Sequence, residues 1–210
     1  KCGKVVLPTK VEDEDQIDLL YQRGVENGAS VKIISQKELR EIEPEASTMA
    51  QRALYSPNTS VVDPNAILSK IQIELNSSGV TILFNEKMIS ANPDSSTIKT
   101  NQGNNFKYGH LINCTGQYSD VVTKMFNVGE QYTMLPFKGL YYGLNKNSNI
   151  RINRLIYPVP DLNIPFLGIH SVKLVNGGIF FGPTAIPVFG RENYHGLTGI
   201  NIKDASSVSY

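Results

Sequence analysis

Asn176-Gly177-Gly178, set between the apolar runs Phe166–Val175 and Ile179–Gly182, constrains this chain more than any other short stretch. Asn-Gly supplies the positive φ values of a tight hairpin, so the two runs are expected to pair as antiparallel strands. Alternation then puts Leu167, Ile169, Ser171 and Lys173 on one face and Gly168, His170, Val172 and Leu174 on the other. His170 shares its face with a glycine and two apolar residues. It is either a hydrogen-bonded core histidine or one aimed into an apolar pocket. Nearby lie Tyr157 in Arg154–Pro160 and Arg191 behind a run of Gly and Pro. Strands and tight turns hold polar side chains rigidly, as a small-molecule site requires.

At 210 residues the chain is long enough for one large domain or two small ones. Twenty Lys and Arg against 19 Asp and Glu leave a net charge of +1. That balance offers no electrostatic argument for nucleic acid or an anionic surface. No apolar run is long enough for a bilayer, and the N-terminus is not signal-like. Lys1 in place of an initiating Met suggests a segment of a longer chain. Cys2 and Cys114 are too few for a disulfide framework, which points to a reducing compartment. Three scattered His without a paired spacing predict no metal site.

Helices and strands alternate as far as Phe126, and strands dominate afterwards. Cys2–Pro8 reads as a short buried strand. The acids Glu12–Asp15 precede a helix that Gly28 closes, and Ser30–Ile34 is a strand. Ser35 and Glu38 form a capping box for a short helix before Pro44. Asp63-Pro64 opens a helix whose apolar face is Ile67, Leu68, Ile71 and Leu75. Val80–Phe84 is expected as a strand, followed by a hairpin of Lys87–Ala91 with Ser96–Thr100. His110–Gly116 is expected to be a strand running into a helix. In an open α/β sheet such a carboxyl end is where ligands bind, although a purely structural turn has the same pattern. Leu135–Leu144 and Arg154–Pro160 complete the strands. The predicted class is α/β (α+β): a Rossmann-like portion interleaved with a mainly antiparallel sheet.

Tyr55–Leu68 (YSPNTSVVDPNAIL), Ile112–Asp120 (INCTGQYSD), LPFKGLYYGL, RLIYPVPDLNIPFLGIH and FGPTAIPVFGRENY together form a recognisable series. In this order they resemble the middle of the FAD-dependent L-2-hydroxyglutarate oxidases and dehydrogenases, within the D-amino-acid-oxidase-like flavoproteins. The Tyr-Pro-Val-Pro, Phe-Leu-Gly-x-His and Gly-Pro-x-Ala blocks are specific to that subfamily. The CTG turn is common across the superfamily. The resemblance implies a substrate-binding portion at 1–50 and 127–210 and a partial FAD-binding portion at 51–126. The chain lacks the family's G-x-G-x-x-G turn for the FAD pyrophosphate and its closing Gly-rich segment. The isolated chain is therefore expected to be inactive, with an incomplete cofactor site.

The resemblance implies oxidation of the C2 alcohol of an L-2-hydroxy acid, with hydride passing to flavin and then to oxygen or a quinone. That chemistry needs a base for the hydroxyl proton and donors for the substrate carboxylates. An ordinary imidazole titrates close to neutral pH, and His170 is the base the resemblance selects. Arg191 is the expected carboxylate clamp, with a surface arginine as the alternative. Tyr142, Tyr157 and Thr184 are the expected substrate donors, and core aromatics are the alternative for the tyrosines. Met88, Thr115, Gly116 and Lys138 match cofactor-side positions. The expected location is a bacterial cytoplasm, with peripheral membrane association allowed, or a mitochondrion. The rivals are an amine oxidase of the glycine or sarcosine type and a binding module without cofactor.

Overall fold

The computed structural model describes residues 1–202, 204 and 205. Its strands and helices run in chain order as β1 (Lys4–Leu7), α1 (Glu14–Glu26), β2 (Lys32–Ser35), α2 (Gln36–Ile42), β3 (Arg52–Ser56) and α3 (Pro64–Ser77). Next come β4 (Met88–Asn92), β5 (Thr97–Thr100), β6 (Asn105–Lys107), α4 (Ser119–Lys124), β7 (Phe137–Lys138) and β8 (Tyr142–Gly143). The last are β9 (Leu155–Pro158), β10 (His170–Lys173), β11 (Ile179–Gly182) and β12 (Ile186–Pro187).

Two compact units result, each made from two stretches of chain: Lys1–Leu68 with Gly139–Ala185, and Ser69–Lys138 with Ile186–Tyr210. These boundaries differ from the expected 1–50, 51–126 and 127–210, the last of which reaches past the described residues. The pairing explains the difference. β3 bonds to both β1 and β2, so it cannot leave the first unit, while β7 pairs with β12 in the second.

The first unit is built on a mixed sheet in the order β2-β3-β1-β9, with β9 parallel to β1. Alternation along β1 decides which helix covers which face. Val5 and Leu7 pack with Leu39 of α2, whereas Val6 packs with Ile17 of α1. The capping box forms as expected: Ser35 Oγ accepts from the Glu38 N–H, and the Glu38 carboxylate accepts from the Ser35 N–H at 2.7 Å. The fully buried Glu43 carboxylate accepts the backbone N–H groups of Asn153 and Arg154, fixing the chain just ahead of β9. A second sheet, β10-β11-β8, contains the hairpin: β10 and β11 pair antiparallel, and Gly177 takes a φ of 86° at the tip.

In the second unit, β4, β5 and β6 form an antiparallel sheet, so the expected hairpin gains a third strand. Two sequence-based strands are absent. Val80–Phe84 and His110–Cys114 carry no strand assignment. An extended segment is stabilised by a neighbour that takes its N–H and C=O groups, and among the described residues no strand pairs with either. Their side chains stand open, Phe84 at 67% and Ile112 at 85% exposure. The apolar face of α3 is likewise exposed at Ile67, Leu68, Ile71 and Leu75. Leu135–Leu144, expected as one strand, splits into β7 and β8, which belong to different sheets.

Candidate functional site

His170 opens β10 opposite Gly182 of β11. Its ring is buried and stacks on Tyr157 of β9, with centroids 4.1 Å apart and planes 20° from parallel. Nδ1 lies 2.8 Å from the Gly168 carbonyl oxygen. A carbonyl can only accept, so Nδ1 is the donor of this bond and Nε2 is the ring nitrogen that it leaves unused. Gly168 is required at this place, because a Cβ there would sit 2.6 Å from Cγ of Pro158. Ser171, almost fully buried, accepts the Ile156 N–H at 2.7 Å and locks β10 onto β9 beside the ring pair. Burial, and then the nearby Tyr141, push the Tyr157 hydroxyl above its ordinary range. A concavity of about 310 Å³ lined by Leu7, Thr48, Tyr157 and Ile169 adjoins the pair, and His170 itself is not in its lining.

Tyr142 and Thr184 also belong to this unit. Tyr142 lies on the edge strand β8, pairs with Phe181 and is 75% exposed. Thr184 exchanges bonds with Leu140: its N–H donates to the Leu140 carbonyl, and its Oγ1 accepts the Leu140 N–H at 3.2 Å. Oγ1 still has a proton to give.

The second unit holds a cavity of about 790 Å³, within the range of small-molecule and cofactor sites. Met88, Thr115 and Arg191 all line it, so three residues singled out in sequence converge. Gly116 follows Thr115 with a φ of 55°, open to solvent, and Lys138 is half-buried on β7. Ile89, Val121, Val122 and Met125 give the cavity an apolar body. Its charged lining is acidic on balance: Glu86, Glu192 and Asp204 against Lys87 and Arg191. One Glu86 carboxylate oxygen is buried with no hydrogen-bond partner among the described residues. An orphan acceptor in such a place suits a hydroxyl or amino donor, as a nucleoside offers. It repels a pyrophosphate.

Arg191 does not sit as a substrate clamp would. Its Nη1 and Nη2 donate to the two Asp120 oxygens at 2.7 and 2.8 Å, and Nε donates to Asp204 at 3.1 Å. Nη1 also donates to the Gln117 carbonyl. The side chains of Arg191 and Asp120 are only 7% and 6% exposed. The guanidinium fork is filled by the protein's own carboxylates, which makes Arg191 an ion-pair centre in this structure. Burial would raise the Asp120 carboxyl, but hydrogen bonds from Arg191 and the Met134 N–H hold it below the ordinary carboxylate range. Tyr118, whose hydroxyl donates to Glu192 at 2.7 Å, is pushed up to about 12 by burial and then by that carboxylate.

Sequence reasoning missed Asp120, Glu86 and Glu43. Asp120 heads a short helix, where an acid reads as a dipole partner. Its true partner is 71 residues away, and no local pattern announces that.

The mixed α/β architecture of this chain is shared with solved FAD-dependent oxidases. The L-α-glycerophosphate oxidase of Mycoplasma pneumoniae, solved with FAD bound, superposes with a TM-score of 0.71 at 18% identity, over 94% of this chain and 53% of its own. Glycine oxidase of Geobacillus kaustophilus gives 0.70 at 18% identity, over 94% of this chain and 52% of its own. Residues 1–205 match the FAD dependent oxidoreductase (DAO) family, and the chain belongs to it. In sequence it is 36% identical to an L-2-hydroxyglutarate dehydrogenase of Indibacter alkaliphilus, over 91% of this chain and 48% of that enzyme. The chain thus spans about half the length of the curated relatives it matches.

Proposed function

We propose that this chain is part of an FAD-dependent oxidoreductase that converts an L-2-hydroxy acid, L-2-hydroxyglutarate foremost, to the 2-oxo acid. The observation that carries this reading is the His170 ring, held by the Gly168 carbonyl so that Nε2 is the free acceptor. Nε2 takes the proton of the C2 hydroxyl, and the resulting imidazolium keeps its Nδ1–H on the carbonyl. Stacking on Tyr157 fixes the ring plane throughout. Bound flavin would supply the acceptor for the C2 hydride. With Arg191 committed elsewhere, the exposed Tyr142 hydroxyl, Tyr157 and Thr184 Oγ1 are the donors assigned to the substrate carboxylates.

The residues of the second unit fit part of FAD. Its cavity suits the adenosine end: Glu86 offers an acceptor, and Met88 and Thr115 form lining. Gly116 leaves its backbone open to approach, and Lys138 is the cation assigned to the flavin side. Nothing in the sequence supplies the G-x-G-x-x-G cradle. Oxygen or a quinone is the assigned electron acceptor. The setting is a bacterial cytosol or a mitochondrion, with peripheral membrane association in the quinone case.

Purified residues 1–210 are accordingly expected to be colourless. A version extended to the length of the relatives is expected to be yellow, with stoichiometric flavin. Visible absorbance spectra decide it, and a stoichiometric flavin band in the short chain would overturn the division of the cofactor site.

A further inference from the structure

The first unit carries another concavity, of about 550 Å³, where the 145–151 turn faces the Asn176–Gly178 hairpin tip. Lys146, Arg151 and Lys173 line it, and its lining contains no Asp or Glu. In a chain with a net charge of +1, three cations gathered in one hollow are a concentrated positive field. Among the described residues none of the three is ion-paired, although five such pairs form elsewhere. Lys173 is also held in place, because its Nζ donates to the Ile152 carbonyl at 3.3 Å. Asn145, Ser148, Asn153 and Asn176 add neutral polar groups to the lining.

Like charges confined together repel, and a bound anion relieves that repulsion. The guanidinium fork of Arg151 matches two oxygens of a tetrahedral anion, and the lysines add point charges. We propose that this concavity binds a phosphate group. It lies at the far end of β10 from His170, about 10 Å along the strand, and it does not depend on the oxidoreductase reading. An anion there would bridge the 145–151 turn to the end of β10.

The test is calorimetric titration of residues 1–210 with inorganic phosphate and pyrophosphate at low salt, beside flotation with vesicles of phosphatidylglycerol or phosphatidylcholine. Three proteins are compared with the unaltered chain: Arg151→Ala, Lys146→Ala/Arg151→Ala/Lys173→Ala, and the charge-matched Lys99→Ala/Lys107→Ala/Lys124→Ala. Saturable binding weakened about tenfold or more by the first two and unchanged in the third supports the site. Arg151 is exposed and belongs to no helix or strand, so its single variant keeps the test valid if the triple variant unfolds. Binding of the free anions assigns a soluble phosphate ligand. Retention only on phosphatidylglycerol, lost in the same variants, assigns a lipid headgroup of the same chemistry. Failure to bind in both arms, or equal binding by all four proteins, overturns the proposal.

Discussion

Asp120→Ala is expected to destabilise the second unit by about 3 kcal/mol, the low end of the usual cost of breaking a buried ion pair, because Asp204 still faces Arg191. The variant leaves Arg191 buried with Asp204, the Gln117 carbonyl and the Tyr118 ring, and it strands the Met134 N–H as well. Arg191→Met is expected to cost a comparable amount by stranding Asp120. The double variant should recover only part of the loss, because neither Asp120 nor Arg191 is then stranded but Asp204 has lost its bond from Arg191. The pH dependence has a definite sign. The folded Asp120 carboxyl titrates below its unfolded value, so its contribution is complete above the unfolded pKa of about 4. It is lost as pH falls through the lower, folded value. The gap between the natural chain and Asp120→Ala should therefore close in acid. Urea unfolding followed by far-ultraviolet circular dichroism measures this, since the chain has no Trp. An unchanged urea midpoint at neutral pH would contradict the ion-pair account.

His170→Ala, made in a protein extended to the length of the relatives, is expected to lower turnover of L-2-hydroxyglutarate by about 10²–10⁴-fold. Flavin content should stay the same, because the cavity assigned to the adenosine end is lined entirely by residues of the other unit. The separation of these two readouts carries the weight of the prediction. A histidine that served only as packing would lower stability and flavin retention together, with turnover per bound flavin unchanged. Tyr157→Leu removes the stacked face but leaves Nε2 in place. It should lower turnover less than His170→Ala does.

Features governed by neighbouring residues were legible in the sequence. The Asn176-Gly177-Gly178 hairpin, the Ser35–Glu38 capping box and the Asp63-Pro64 helix start all form where local rules put them. Asp63 accepts the Asn65 N–H at 2.9 Å, as an N-terminal cap should. Features that depend on a distant partner were not legible. β3 was overlooked because Arg-Ala-Leu-Tyr-Ser has little alternation. Its place is set by β1 and β2, between which it is bonded on both sides. Val80–Phe84 has strand composition and yet forms no strand, since composition supplies no hydrogen-bonding neighbour. Of the site, the Gly168 contact explains how His170 is oriented, and alternation had already put both residues on one face. Arg191 stands out in the sequence as a cation behind a Gly/Pro run, but its carboxylate partners are not marked there. Its carboxylates come from Asp120 and Asp204, at sequence separations of 71 and 13.

An anaerobic titration tests most directly which substrate donates electrons to the flavin. The extended protein, yellow and free of oxygen, is mixed in turn with L-2-hydroxyglutarate, glycine, sarcosine and proline, and its visible flavin band is followed. Bleaching by L-2-hydroxyglutarate alone, slowed in His170→Ala, is the predicted result. Bleaching by an amine with no response to the hydroxy acid would contradict the account.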